Sequence, residues 1–358
     1  MATPNKKYRI LGLMSGTSLD GLDLALVEFT VGKSWRFSII ASSTQPYTRT
    51  WADRLALAHT LPGVDLIAMH SAYGTYLGKQ CQLFLRKNKI RSLDAIASHG
   101  HTIFHQPDRG FTFQLGDGQA IHAMTGIKVV SDFRSLDVML GGEGAPLVPV
   151  GDRLLFPSFD VCLNLGGIAN LSMEVGRKRK AFDLCFCNMA LNHLMKEVGK
   201  PFDKGGALAS RGEVDQDLLV DILSAYQEIR KKRKSIGREF FEQAVQPFLE
   251  NKRIPLASRL RTVCESVAIE VAGALPPSGK NLKLLATGGG ALNRFLIQVM
   301  QERLEGKARI ILPSMEIIAF KEALIFAFLG LLRLRNEINV LSSVTRARRD
   351  SCSGTVTG

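Results

Sequence analysis

The sequence lacks the long hydrophobic runs of a membrane protein. In its 358 residues no apolar stretch approaches the ~20 residues that a helix needs to cross a bilayer, so we predict no membrane-spanning segment. The opening MATPNKKYRI has basic residues but no apolar core before a cleavage site, which argues against a secretory signal. An apolar fraction of 46% with 33 glycines is instead typical of a globular protein rich in turns.

Cysteine is present but lacks a recognisable pattern. The six cysteines (81, 162, 185, 187, 264 and 352) are scattered and none forms C-x-x-C, so we expect no disulfide framework and a reducing, cytoplasmic location. The Cys-x-Cys pair in AFDLCFCN, residues 181–188, has three interpretations: metal binding, redox chemistry, or packing beside Asp183. Two thiols cannot complete a zinc site, so we predict reduced thiols that pack in a core or loop.

Aromatic residues make up only 7% of the chain and are not interleaved with its basic runs. The net charge of +13 is concentrated in short runs at residues 177–180, 230–234 and 346–349. Without aromatic side chains among these cations, a single-strand nucleic-acid surface is not indicated, and we predict no nucleic-acid partner. A phosphorylated small molecule would also benefit from the positive field.

A repeated order of strands and glycine turns is present. In each half of the chain the residue pattern predicts the same order of elements: a strand, a glycine turn, two further strands and a helix. In the first half these segments are residues 8–14, 15–21, 22–29, 34–43 and 51–59. In the second half they are a hairpin at 160–175, a strand at 181–187 and a helix at 189–198. The length and the repeat together predict two α/β domains that meet across a cleft, with a boundary near residues 150–160.

Three glycine-rich turns follow predicted strands: SGTSLDG (15–21), LGGIANL (165–171) and TGGGALN (287–293). Such turns let backbone N–H groups approach phosphate oxygens. None is a Walker P-loop or a G-x-G-x-x-G fingerprint, and each alone is more often a plain turn. Three of them at strand ends in two matching halves favour a nucleotide held between two lobes.

Longer stretches of the chain resemble the anhydro-N-acetylmuramic acid kinase family. The resemblance runs from about residue 9 to 335, and DFR followed by GGEGAPLVP is its most specific part. The other stretches that carry it are GLMSGTSLDGLDLALVEF, SHGHTIFHQP, FTFQLGDGQAIHAMTGIKVVSDFRSLDVML, NLGGIANLS and TGGGALN.

The resemblance implies a fold as well as a function. The family belongs to the sugar kinase, Hsp70 and actin superfamily, which implies an α/β fold. It would consist of two duplicated actin-like ATPase (ribonuclease H-like) domains with a nucleotide cleft between them. The domains implied are an N-terminal lobe, residues 1–155, joined by the C-terminal helix 322–340, and a C-terminal lobe, residues 156–321.

The reaction implied is ATP-dependent phosphorylation of 1,6-anhydro-N-acetylmuramic acid in peptidoglycan recycling. In this family water opens the anhydro ring during the same reaction, which gives N-acetylmuramic acid 6-phosphate and uses ATP and Mg²⁺. Asp183 matches the aspartate of the family motif D-T-G-P-G-N, and would activate the water as a base. The implied partners are the amino sugar and ATP. No membrane partner is expected, and a homodimer remains an open alternative.

The same resemblance assigns the remaining site residues. Ser15, Arg134 and Glu322 would bind the sugar, and Arg134 suits the lactyl carboxylate as a bidentate donor. Asp20 is a candidate Mg²⁺ contact, although alone it would be an ordinary turn aspartate. The expected ATP-binding residues are Gly16, Thr17, Ser18, Leu19, Asp20, Gly21, Leu22, Asp23, Gly166, Gly167, Asn188, Gly288, Gly289 and Gly290.

The chain departs from the family at the loop after Asp183. DLCFCN keeps the acid and Asn188 but replaces both family glycines, by Cys185 and Cys187. Backbone that needs a positive φ or a close approach to phosphate must then be arranged differently. Two alternatives therefore stand beside the leading hypothesis: a related kinase acting on another sugar, and a non-catalytic nucleotide-binding regulatory protein.

Three histidines lie close together in SHGHTIFH: His99, His101 and His105. On a strand, His99 and His101 would share a face, but no further ligand stands at a zinc spacing. His101 replaces a glutamine that is usual in the family. We predict structural or substrate hydrogen bonds for these side chains.

Overall fold

The computed structural model describes residues 6–16, 19–232, 237–277 and 281–358. The chain divides into two compact units. Unit 1 takes the chain up to Pro157 and again from Phe320 to Gly358, and unit 2 is Ser158–Ala319. Thr17 and Ser18 of the expected ATP loop, and Arg233 and Lys234 of one basic run, lie outside the described residues.

The described residues form two sheets, one in each unit. The strands are β1 (Lys6–Ser15), β2 (Gly21–Val31), β3 (Arg36–Pro46), β4 (Ala95–Gln106), β5 (Phe111–Leu115), β6 (Val129–Ser131), β7 (Val161–Leu165), β8 (Ile168–Val175), β9 (Lys178–Phe186), β10 (Leu282–Thr287), β11 (Ala308–Ile311) and β12 (Thr355–Thr357).

The described residues also form α-helices in both units. They are α1 (Arg49–Leu57), α2 (Gly63–Lys87), α3 (Gly118–Thr125), α4 (Ser135–Met139), α5 (Val148–Leu155), α6 (Asn188–Met195), α7 (Gln216–Lys232), α8 (Arg238–Ala244), α9 (Gln246–Leu249), α10 (Leu256–Ala274), α11 (Arg294–Arg303), α12 (Met315–Leu334) and α13 (Ser342–Thr345). Within the described ranges, no helix is long and apolar enough to cross a membrane.

The two sheets have the same strand order. In unit 1 it is β3-β2-β1-β4-β6, extended by β12, with β5 paired to β4; in unit 2 it is β9-β8-β7-β10-β11. The first three strands of each order are antiparallel, and the last two run parallel to the central one. The prediction of two duplicated α/β domains is confirmed by this shared strand order.

Close packing on β1 determines where α12 lies in unit 1. A Cβ atom at Gly12 would overlap the carbonyl oxygen of Ala323, so only glycine lets this helix approach the strand. On the other side of the sheet, Tyr73 and Leu77 of α2 are fully buried against the apolar residues of β1 and β2. Because Ala323 contacts β1, the preceding residue Glu322 lies near this strand as well.

Some predicted elements differ from those observed. The strand predicted at residues 181–187 is β9, which begins three residues earlier and ends before Cys187. The helix predicted from residue 322 is part of α12, which begins at Met315 and has non-helical dihedral angles at Phe320 (φ −116°, ψ 15°). Residues 60–92 carry no predicted element, and the structure has the 25-residue α2 there.

Candidate active site

Ser15, at the end of β1, lies in a chain of hydrogen bonds in unit 1. Its Oγ is 2.8 Å from His101 Nδ1 and 2.6 Å from the Tyr47 hydroxyl, which is 2.6 Å from the Tyr73 hydroxyl. Ser15 is 2% exposed, and burial lowers the pKa of His101 to about 4, so this imidazole is neutral at physiological pH. The Ser15 hydroxyl is therefore held in one orientation by neutral partners.

Arg134 follows β6 and is anchored by His99 on β4. Its Nε and Nη2 lie 3.0 and 2.9 Å from His99 Nε2, and its Nη1 donates to the Gly144 carbonyl at 2.7 Å. His99 donates through Nδ1 to the Gly100 carbonyl at 3.0 Å, which leaves Nε2 as the acceptor. Burial lowers the pKa of Arg134 to about 10, so the guanidinium remains charged at neutral pH, and the charge of Glu322 opposes that shift.

Glu322 and Asp23 are two carboxyl groups of unit 1 with raised pKa values. Burial raises the pKa of Glu322, against the opposing charges of Lys321 and Arg134, and the charge of Asp23 raises it further. Burial also raises the pKa of Asp23, although the Thr44 hydroxyl donates to Asp23 Oδ1 at 2.5 Å. Both carboxyls therefore keep a proton to higher pH than an exposed carboxyl does.

The first glycine loop is only partly described. Leu19 N–H donates to the Gly16 carbonyl at 3.3 Å and Leu19 has a positive φ of 61°, while Asp20 is exposed. Gly21 begins β2, and the Leu22 side chain is buried in the core, so only the backbone of Leu22 could face a ligand.

In unit 2 the two other glycine turns meet at Asn188, the first residue of α6. The Asn188 N–H donates to the Gly166 carbonyl at 3.1 Å, and its Nδ2 donates to the Leu165 carbonyl at 3.0 Å. A Cβ atom on Gly290 would lie 3.3 Å from Asn188 Oδ1. The structure thus brings three predicted ATP-binding segments together within one unit.

Gly288 can only be glycine at its position. Its φ is 81°, and a Cβ atom there would lie 2.5 Å from Asn164 Oδ1 and 2.9 Å from the Leu165 backbone. At Gly167, in contrast, a Cβ atom would meet nothing closer than 3.7 Å. The turn at Gly167 therefore leaves its backbone accessible beside the start of α6, where the helix dipole favours a phosphate.

Asp183 lies on β9, in register with Asn170 of β8, and is half-buried. It is separated from Asn188 by the four residues that depart from the family motif. Cys185 and Cys187 among them are fully buried and form no disulfide, and burial raises the pKa of Cys187 to about 12. The prediction of packing thiols is confirmed.

The altered loop needs no glycine in this structure. Residues 184–186 belong to β9, and Cys187 has φ −113° before α6 begins. No residue from 184 to 187 has a positive φ. The substitution of both family glycines is thus compatible with the strand-to-helix turn that carries Asp183 and Asn188.

Several residues beside the predicted site could not be found from the sequence. Tyr47 and Tyr73 reach Ser15 from β3–α1 and α2, far from it along the chain. Lys321, next to Glu322, forms a buried ion pair with Asp152 at 2.7 Å, and both side chains are 5% exposed. Only the position of Lys321 beside Glu322 could have drawn attention to this pair.

Comparison with known proteins assigns a family. Residues 8–358 match the model of a family described as "AnmK: Anhydro-N-acetylmuramic acid kinase". The curated anhydro-N-acetylmuramic acid kinase of Gloeobacter violaceus is 36% identical over 365 residues, covering 95% of this chain and 96% of that protein. The kinase of Vibrio parahaemolyticus is 34% identical, with 95% of each chain covered, and that of Shewanella woodyi is 33% identical, with 98% and 99% covered.

Proposed function

Since this chain belongs to the anhydro-N-acetylmuramic acid kinase family, we propose that it opens the anhydro ring of that sugar with water while it transfers phosphate from ATP. The kinase activity itself follows from the family: the chain phosphorylates anhydro-N-acetylmuramic acid with ATP, a step of peptidoglycan recycling. The proposal concerns how that activity is coupled to hydrolysis, and which residues carry it.

Asp183 is the proposed base. Water adds to C1 of the sugar, the bond from C1 to O6 breaks, and the Asp183 carboxylate accepts the proton that the water loses. The freed O6 then forms a bond to the γ-phosphorus of ATP, and ADP leaves. This transfer depends on the positions of the two oxygens and on stabilisation of the phosphate charge.

The observation that carries the proposal is the position of Asn188. It is hydrogen-bonded to the Gly166 and Leu165 carbonyls and lies against Gly290, five residues after Asp183. A single strand-to-helix turn therefore carries both Asp183 and the residue at which the two glycine turns meet. This arrangement supports a base placed next to the phosphoryl donor.

Arg134, Glu322 and Ser15 are the proposed sugar contacts of unit 1. The guanidinium is held by His99 and Gly144, and its remaining N–H groups suit the carboxylate of an N-acetylmuramic acid. The Ser15 hydroxyl and the Glu322 carboxyl, with its raised pKa, suit hydroxyl or amide groups of the same ring. These contacts favour this acidic sugar over a neutral one.

We also propose that Mg²⁺ accompanies ATP at Asp20. Among the described residues no group of three or more histidine, cysteine or carboxylate side chains is placed to hold a metal ion. Such a group is not required, because Mg²⁺ at nucleotide sites usually takes one or two carboxylates together with phosphate and water oxygens. Asp20, exposed in the first glycine loop, fits that role, and the ion would neutralise phosphate charge.

A cytoplasmic location belongs to the same proposal. All six cysteines lie in the described residues and none forms a disulfide, as expected for a protein made in a reducing compartment that supplies ATP.

The test is release of ADP with ATP, Mg²⁺ and 1,6-anhydro-N-acetylmuramic acid, comparing the wild type with Asp183→Asn. Asp53→Asn is the matched control, because Asp53 is an exposed aspartate whose Oδ2 lies 3.9 Å from Arg49 Nε. We expect turnover by the wild type and the control, and its loss in Asp183→Asn. Equal turnover by all three proteins would show that Asp183 is not the base. Turnover with another sugar and none with this one would show that the substrate is assigned wrongly.

A further inference from the structure

A polar pocket of about 230 Å³ lies in unit 1, apart from the residues proposed to bind ATP. It is formed by α2, β4, β5, β12, the start of α3 and the segment from β6 to α4. The side chains that matter for its chemistry are those of His70, Ser98, Asp117 and Asp132. Its volume is below the roughly 300–1,000 Å³ of drug-sized sites, so a ligand the size of one sugar ring would fit.

His99 also lines this pocket, but the alternation of side chains along β4 places its ring and Arg134 on the opposite side of the strand from Ser98. His99 packs its ring against Phe326 of α12 at 4.5 Å and holds Arg134. Ile96, in contrast, belongs to the apolar cluster built on α2. Successive residues of a strand point to opposite faces, so Ser98 shares the face of Ile96, opposite the face of His99.

Ser98 carries an unpaired hydroxyl. Its side chain is 1% exposed, and its Oγ has no hydrogen-bond partner in the described parts of the chain. Buried polar atoms in folded proteins are nearly always paired, and those that are not point to a water, ion or ligand. Because Ser98 lines the pocket, its hydroxyl is available to a molecule bound there.

The pocket has acidic and neutral walls. Asp117 Oδ1 accepts from the backbone N–H of Gln119 at 2.8 Å, and Asp132 Oδ1 accepts from Ser135 Oγ at 2.6 Å, so the other oxygen of each carboxylate can meet a ligand. Among the described residues, no lysine or arginine lines the pocket. A pocket with this charge repels ATP and a sugar carboxylate and attracts a cation.

His70 supplies a hydrogen-bond donor to this pocket. Its Nδ1 accepts from the Gly116 N–H at 3.1 Å, so the neutral ring carries its hydrogen on Nε2. Burial lowers the pKa of His70, against the opposing charges of Asp117 and Asp132, which favours the neutral form. The donor suits a hydroxyl oxygen, while the two carboxylates suit an ammonium group.

We propose that this pocket is a second ligand site, and that it binds an amino sugar with a free, positively charged amine. The two carboxylates hold the ammonium group, and Ser98 and His70 bond to ring hydroxyls. The site is distinct from the one proposed for the kinase substrate, whose carboxylate needs a guanidinium.

Three sugars with the same ring test the charge argument: D-glucosamine, D-glucose and D-glucuronate, each titrated into the full-length protein by isothermal calorimetry. We expect glucosamine to bind about tenfold more tightly than glucose, because one charged hydrogen bond replaces a neutral one, and glucuronate to bind least. Glucuronate binding as tightly as glucosamine, or no binding of glucosamine at millimolar concentration, would overturn the proposal.

Two variants locate the site. Asp132 has a φ of 53°, which asparagine also adopts readily, so Asp132→Asn removes the charge without disturbing the backbone and should weaken glucosamine about tenfold. Ser98→Val removes the unpaired hydroxyl and puts a methyl group in its place, so it should also weaken glucosamine binding, while Ser266→Ala, at a fully buried serine of α10, is the matched control. Unchanged binding in Asp132→Asn, or binding lost in Arg134→Ala instead, would contradict a site at this position.

Discussion

Replacing Arg134 by alanine should weaken binding of the sugar through its carboxylate. The guanidinium carries five N–H donors, and the contacts to His99 and Gly144 use three of them. Two donors remain on a side chain that is held in place by its anchors. A carboxylate that approaches this edge can therefore form hydrogen bonds with little loss of side-chain freedom.

The size of the effect follows from the number and exposure of these donors. A hydrogen bond to a charged group contributes about 1.5–3 kcal/mol. Arg134 is half-buried, so water screens part of the interaction, and we count the value of one bond and not two. Arg134→Ala should then raise the KM for 1,6-anhydro-N-acetylmuramic acid by roughly 10- to 100-fold.

Steady-state kinetics with two substrates measure this effect. 1,6-Anhydro-N-acetylglucosamine has the same ring but lacks the lactyl carboxylate, so its KM should change little in Arg134→Ala. Arg49→Ala, at a side chain that is 96% exposed, serves as the control. An equal loss on both sugars would refute the assignment, because Arg134 would then act on the protein and not on the carboxylate.

Three further predictions concern stability. Burial raises the pKa of Glu322, so the protonated carboxyl contributes fully to stability below the pKa of an unfolded glutamate, and this contribution is lost as the pH rises through the higher folded value. Glu322→Gln should therefore raise Tm at neutral pH and not in acid. A Tm raised in acid and not at neutral pH would contradict this. Lys321→Met removes the charge that pairs with the buried Asp152 carboxylate and should lower the free energy of unfolding by about 3–5 kcal/mol in urea titrations. Part of this loss should be recovered in Lys321→Met/Asp152→Leu. Cys185→Gly and Cys187→Gly each restore a glycine of the family motif. Each should lower the free energy of unfolding by about 1–2 kcal/mol in urea titrations, because both side chains are fully buried and neither position needs a positive φ. Higher stability of either variant would show that the loop prefers glycine.

Much of the fold could be predicted from the sequence, because local patterns encode it. The two glycine-containing hairpins, each followed by a third strand, correspond to β1–β3 and β7–β9. Helix α2 was not predictable in the same way: its buried residues recur with helical spacing, but it is long and carries apolar side chains on its solvent face, including Val64 and Ile67. The approach of α12 to Gly12 depends on tertiary packing, which no short pattern reveals.

The candidate site was predictable where it rests on motifs. Gly166 and Gly290 belong to two segments that resemble the family, and both lie beside Asn188, which the altered loop retains. The partners of Ser15 were not predictable, because Tyr47 and Tyr73 reach it only through the folded chain. Hydrogen bonds between side chains distant in sequence leave no signal in a single sequence.

The coupling of hydrolysis to phosphoryl transfer is tested most directly by isotope labelling. The wild type is allowed to turn over ATP and 1,6-anhydro-N-acetylmuramic acid in water enriched in oxygen-18, and the phosphorylated product is analysed by mass spectrometry. We predict a product that has gained one water, with the heavy oxygen at C1, and none of this product from Asp183→Asn. A phosphorylated sugar that keeps its anhydro ring, or a ring-opened product without the label at C1, would contradict the account.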